Sequence, residues 1–264
     1  MSDVGGSFAY PFRHPAWLGR VLVGAALDVV PVVVLLPVVL ALVRHRHPLF
    51  GPALALLPVA AALGLACRLL VVGYLGRAAG GILNGDSTGL PPWDRMGADL
   101  LEGLKLFLVA AALWLPAVAG TAVLALLVLA LASPTLAWLP VILVGPPAAL
   151  LTLAYLPAGL LAMIKEGEPG AAFAFDRVVG TVGRAFGPYA IAFLVAFGAE
   201  IFAQLGLVLC CVGIFATRFI AHCVAVHAFA TAFGQGCRGA CGGVPGDGKA
   251  APQLPATPPL QPLA

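Results

Sequence analysis

The chain has 264 residues, of which 61% are hydrophobic and only 9% charged, with a formal net charge of +3. A soluble domain carries roughly 25% charged residues, so this composition cannot cover a water-facing surface and points to a polytopic membrane protein. The small net charge, with no Lys/Arg-rich run, argues against a nucleic-acid partner.

A spanning helix needs about 20 largely apolar residues. Residues 1–17 form a short N-terminal segment without the features of a secretory leader, and the apolar run that follows is too long for one. Residues 18–43 are therefore the first span, ending at Arg44-His45-Arg46-His47-Pro48. Asp28 followed by Pro31 predicts a local break in it. Further spans are expected at 52–76, 104–132 and 136–164. The block 188–233 is too long for one helix and divides at Cys211-Val212-Gly213 into a fifth and a sixth span. The fold class is thus an all-α membrane domain over 18–235 with about six transmembrane helices. Residues 236–264 are Gly- and Pro-rich with little charge, a composition that predicts a disordered tail.

Orientation follows the Lys/Arg distribution. Of the 14 basic residues, Arg44 and Arg46 fall on one side and Arg68 and Arg218 within spans, and the others share the side of the N-terminus. Both termini are expected in the cytoplasm, the protein lying in the inner membrane.

The most polar stretch before the tail, GDSTGLPPWDRMGADLLEGLK, has helical periodicity from Pro91 onward. Trp93, Met96, Leu100, Leu101 and Leu104 share one face, and Arg95, Asp99 and Glu102 the other, with Arg95 and Asp99 spaced as an i, i+4 pair. Asp94 suits the positive end of the helix dipole. This predicts an interfacial amphipathic helix. Residues 175–186 repeat the pattern: Phe175, Val178, Val182 and Phe186 against Arg177, Thr181 and Arg184. At a shift of 82, Trp93-Asp94-Arg95 falls on Phe175-Asp176-Arg177, and at 81 Gly73-Tyr74-Leu75 falls on Ala154-Tyr155-Leu156. The expectation is a duplicated unit of span, interfacial helix, span, with its copies related by an axis along the membrane normal.

Gly85-Asp86-Ser87 resembles the setting of a nucleophilic serine, but a hydrolase needs a base and an orienting group within hydrogen-bond reach. None of His14, His45, His47, His222 and His227 stands in such an arrangement, and no other catalytic motif is visible. No enzymatic activity and no cofactor are expected. The six cysteines do not form a disulfide frame; Cys237 and Cys241 have poor zinc spacing, and no metal site is expected.

Ionisable groups within spans are functional candidates by default. Asp28 and Arg68 are placed symmetrically about the turn near His47, as an ion pair across a hairpin would be. Glu200 and Gln204 share a face of the fifth span. Across the expected turn, His222 reaches a similar depth, with Arg218 nearer the outer end. The cluster serves either as interhelical glue or as a proton-exchanging site.

The strings YPFRHPAWLGRVLVGAALDVVP, GYLGRAAGGILNGDSTGLPPWDRMGADLLEGLKL and AFAFDRVVGTVGRAFGPYAIAFL together resemble the bacterial and archaeal integral-membrane family called domain of unknown function 4013. The likeness covers Tyr10 to about Gln235. This chain departs from it at Pro92 and Arg95, where acidic residues are expected, and in a longer stretch from Pro31 to Gly73. The resemblance implies a membrane location and a shape, with no activity attached. Two functions are compatible with the residues: a non-enzymatic membrane module acting through lipid or protein contacts, and a small-solute or proton-coupled transporter or channel.

Overall fold

The computed structural model describes residues 4–43, 50–86, 88–131, 136, 138–206 and 213–241. Among these the regular structure is helical, with no strand. A short α1 (Val4–Ala9) and a 3-10 turn (Tyr10–Phe12) lead into α2 (Trp17–Val43), α3 (Phe50–Leu83) and α4 (Met96–Leu131). Then follow α5 (Trp138–Leu143), α6 (Gly145–Glu166), a 3-10 turn (Pro169–Phe173), α7 (Phe175–Arg184), α8 (Phe186–Leu205) and α9 (Gly213–Cys241). Among the described residues six stretches are long and apolar enough to cross a bilayer: α2, α3, α4, α5 with α6, α8 and α9. The chain is a multi-pass membrane protein.

Proline chemistry decides where these helices break. Pro146 and Pro147 offer no N–H to the carbonyls one turn earlier, and the fourth span is interrupted at Val144 between α5 and α6. Pro31 has the same defect, yet α2 runs through it unbroken, contrary to the expected break. The ring is buried beside Gly64 of α3, so packing compensates for one missing bond. The last helix continues through Gly236 to Cys241, so residues 236–241, expected in the tail, are helical. Residues 242–264 lie outside the described residues, as do the Arg44–His47 loop and Cys210 to Val212.

The interior is built from small side chains. Around α9 the buried residues are chiefly alanines, among them Ala192, Ala199, Ala203, Ala221 and Ala228. Leu115, Leu126 and Leu131 of α4 face outward. Hydrocarbon gives helices no hydrophobic reason to associate, so close approach of small residues supplies the contact instead. The tightest crossing joins α3 and α4 at Gly73 and Gly103. A Cβ on Gly73 would overlap the Asp99 carbonyl, and one on Gly103 the Leu69 carbonyl.

Candidate functional site

That crossing positions the first polar site, at the end of the bundle that carries α1. In an antiparallel pair meeting at Gly73 and Gly103, the residue one turn past Gly73 faces the residue one turn before Gly103. These are Arg77 and Asp99, and Arg77 Nη2 donates to Asp99 Oδ2 at 2.8 Å. Asp99 is only 2% exposed. The same guanidinium donates to Asp94 Oδ1 at 2.9 Å and to the Pro92 carbonyl at 2.8 Å. Its Nε is buried with no hydrogen-bond partner among the described residues.

The chain between α3 and α4 is strapped over this pair. Asp86 Oδ1 accepts from the Thr88 N–H and hydroxyl, closing a turn. These two hydrogen bonds, the backbone one foremost, hold the Asp86 carboxyl below its ordinary range. Gly89, at φ +118°, takes a left-handed conformation that favours glycine, and its carbonyl accepts the Tyr10 hydroxyl. Tyr74 donates to the Pro91 carbonyl at 2.7 Å and stacks on Trp93, ring centroids 3.8 Å apart. The Trp93 indole N–H in turn reaches the Arg20 carbonyl at 2.9 Å. Burial is the main cause that holds the Tyr10 hydroxyl well above the ordinary phenol range, with Cys223 and Asp86 adding to it.

This corrects the expected first amphipathic helix. Trp93, Asp94 and Arg95 are not helical: α4 begins at Met96 and runs directly into its span. Trp93 is a wedge between Tyr74 and Phe219. The expected Arg95–Asp99 pairing is replaced by Arg77–Asp99, and the Arg95 carbonyl accepts the Asp99 N–H. Sequence reasoning missed Arg77 and Tyr74; the available signal was their i, i+3 spacing in Gly73-Tyr74-Leu75-Gly76-Arg77 at the end of a span.

In the second half, the Tyr155 hydroxyl donates to the Ala172 carbonyl at 2.7 Å, and its ring lies 5.0 Å from Phe175. Phe175, Asp176, Arg177 and Arg184 all belong to α7, a helix separate from α8. Arg177 Nη1 bridges both Glu166 oxygens at 2.8 Å, while Arg184 donates to the Gly236 carbonyl and to Thr181. Thr181, expected on the polar face, is buried with Val178. Arg184 and its neighbour Ala185 instead close over Gly236 of α9.

Within the spans, Arg68 Nη1 donates to Asp28 Oδ1 at 2.7 Å. Asp28 is 1% exposed, and its Oδ2 has no hydrogen-bond partner among the described residues. His222 Nε2 lies 3.6 Å from Glu200 Oε1, and its Nδ1 is buried and unpartnered among the described residues. His222 also feels the charges of Asp28, Arg68 and Arg218 at longer range. Gln204 and Arg218 are exposed on their helices. His222 also lines a mostly apolar cavity of about 260 Å³ between α3, α4, α6 and α9. His227, midway along α9, accepts or donates at Nδ1 with the buried Ser7 hydroxyl at 3.0 Å, tying α1 to α9. Of Gly85-Asp86-Ser87, Ser87 lies outside the described residues, and Asp86 serves the turn. Among the described residues no group of three or more His, Cys, Asp or Glu could hold a metal ion.

A family model described as "Protein of unknown function (DUF4013)" matches residues 53–212. No curated protein and no solved structure matches the chain. The matched stretch covers more than half of the chain and holds the α3–α4 crossing, the strap with Trp93, the tyrosine contacts of both halves, and α7. This chain belongs to the DUF4013 family of integral-membrane proteins.

Proposed function

We propose that the protein is a non-enzymatic module of the inner membrane that acts through lipid and protein contacts, with α7 lying in the membrane interface and both termini in the cytoplasm. The observation that carries this reading is the three-way division of α7. At about 100° per residue, Val178 and Thr181 form one face, which is buried. Phe175 and Val179 form a second face, 55% and 59% exposed, beside the first. Arg177 and Arg184 stand opposite the exposed apolar face and are themselves exposed. A helix with protein on one side, oily rings on the next and cations opposite those rings suits the headgroup boundary. The excess of Lys and Arg on the side of the N-terminus supports the orientation.

A duplication underlies the architecture in this reading. In each half a tyrosine hydroxyl bonds the carbonyl 17 residues later, and its ring meets the aromatic that precedes Asp-Arg. Replacing Arg177 and Arg184 by Gln is expected to weaken retention of anionic lipid by about fivefold per arginine, from roughly 1 kcal/mol each at an anionic surface. Native mass spectrometry of protein released from nanodiscs reads this directly. Unchanged retention overturns the proposal.

A second reading rests on Asp28 and His222, whose unpartnered buried atoms suit a proton-coupled transporter. Glu200→Gln then abolishes a pH-dependent flux in proteoliposomes while the protein still inserts. Retained flux counts against it.

A further inference from the structure

The strap leaves a cavity of about 420 Å³ between the 3-10 turn at Tyr10, the start of α2 and the end of α3, lined in part by Tyr10, His14, Arg20, Gly81, Asp86 and Thr88. Its walls carry two unmatched charges. Arg20 forms no ion pair with a carboxylate among the described residues; its guanidinium Nη2 meets only His14 Nε2, at 3.1 Å. That contact is chemically incomplete. His14 Nδ1 accepts the Ala16 N–H at 3.0 Å, so the neutral ring carries its proton on Nε2. Arginine can only donate, and two donors then face each other across 3.1 Å. An acceptor shared by Arg20 Nη2 and His14 Nε2 satisfies both while Ala16 keeps its bond.

On another wall, Asp86 Oδ1 is taken by Thr88, but Oδ2 stands over Gly81 and pairs with no cation among the described residues. The complementary ligand therefore carries an anionic acceptor and a cationic donor. Depth narrows the class further. Arg20 is the fourth residue of the first apolar span and Gly81 the third from the end of the second. Trp17, at the start of the first span, and Trp93 pack on one cluster, and aromatic residues of this kind favour the boundary of a bilayer.

We propose that this cavity binds the headgroup of a zwitterionic phospholipid bearing a primary amine, its phosphodiester on Arg20 and His14 and its ammonium on Asp86. A choline headgroup has no N–H to give Asp86, and a glycerol headgroup has no cation. The site uses no residue of α7, so it goes beyond the reading above and stands or falls apart from it.

The test uses the full chain in nanodiscs of equal phosphatidylethanolamine, phosphatidylcholine and phosphatidylglycerol, with bound lipid read by native mass spectrometry. Phosphatidylethanolamine is expected to be selected over the other two. Asp86→Asn is expected to reduce that selection about tenfold, and Arg20→Gln to reduce the amount of bound phosphatidylethanolamine about tenfold, as loss of one charge-assisted bond implies. Asp86→Asn keeps the Oδ1 acceptor for Thr88, so its thermal unfolding in detergent stays unchanged. Arg177→Gln with Arg184→Gln leaves the selection intact. Equal retention of the three lipids by the unaltered protein overturns the proposal, as does selection that survives Asp86→Asn or phosphatidylethanolamine retention that survives Arg20→Gln. Binding of soluble glycerophosphoethanolamine to delipidated protein, without lipid selection in nanodiscs, overturns the lipid source.

Discussion

Arg77 holds two carboxylates that live in different solvents. Asp99 is sealed at the α3–α4 crossing, and Asp94 is exposed on the strap. Removing the cation therefore has unequal consequences. Arg77→Met leaves a buried carboxylate without its counter-ion, a loss of about 3–5 kcal/mol in general experience. Adding Asp99→Asn removes the stranded charge and recovers most of it; equilibrium unfolding in mixed micelles measures both. Asp94 gives a pH-dependent signature. The Arg77 hydrogen bond holds its carboxyl below the ordinary value. The strap contact is thus fully present above the unfolded value near 4 and is lost as the pH falls through the lower folded value. Trp93 fluorescence, followed through an acid titration, is expected to report release of the strap. In Asp94→Asn that acid-dependent component is absent.

At the scale of the element, the proposed duplication sets a proline, Pro188, against a leucine of α4. Position 188 corresponds to Leu106 in the first half at the shift of 82. Leu106 lets α4 run on from Met96 through its span. Pro188 withdraws the N–H that would bond the Arg184 carbonyl, and α7 ends there while α8 starts at Phe186. Pro188→Ala is expected to join α7 to α8 and to lift Arg177 and Arg184 away from Gly236. Faster hydrogen exchange at residues 234–238 is the expected result; unchanged exchange and an unchanged helix break refute it. The six spans are legible in the sequence because length and hydrophobicity alone set them. The break at Pro188 is legible too, once the proline is weighed against the continuous apolar periodicity around it. The Arg95–Asp99 assignment fails for a different reason: the i, i+4 rule sees only one helix. Arg77 reaches Asp99 through a crossing made by Gly73 and Gly103, and no local pattern encodes which glycines meet. Thr181 likewise reads as polar by type, but its hydroxyl is satisfied within its own turn by the Arg177 carbonyl, so it can be buried.

For the whole molecule, α9 is the hub: it packs against α8, α3, α2, α7 and α1. The buried polar groups follow from this arrangement. Phe219 lies against Gly24 of α2, and His222, one turn further along α9, feels the charges of Asp28 and Arg68 at longer range. Sequence symmetry about a loop suggested the Asp28 and Arg68 positions, whereas their relation to His222 depends on α9 joining the α2–α3 hairpin. The link from α1 to α9 has a bearing on synthesis. Ser7 and His227 are separated by 220 positions, so at about 5–20 residues per second the ribosome makes one roughly 10–40 s before the other. Through that interval Ser7 lacks its α9 partner, and Tyr10 lacks the Cys223 and Phe219 surface it packs with. A chain that stops short of α9 is therefore expected to leave the N-terminal segment without the surface that buries Ser7 and Tyr10.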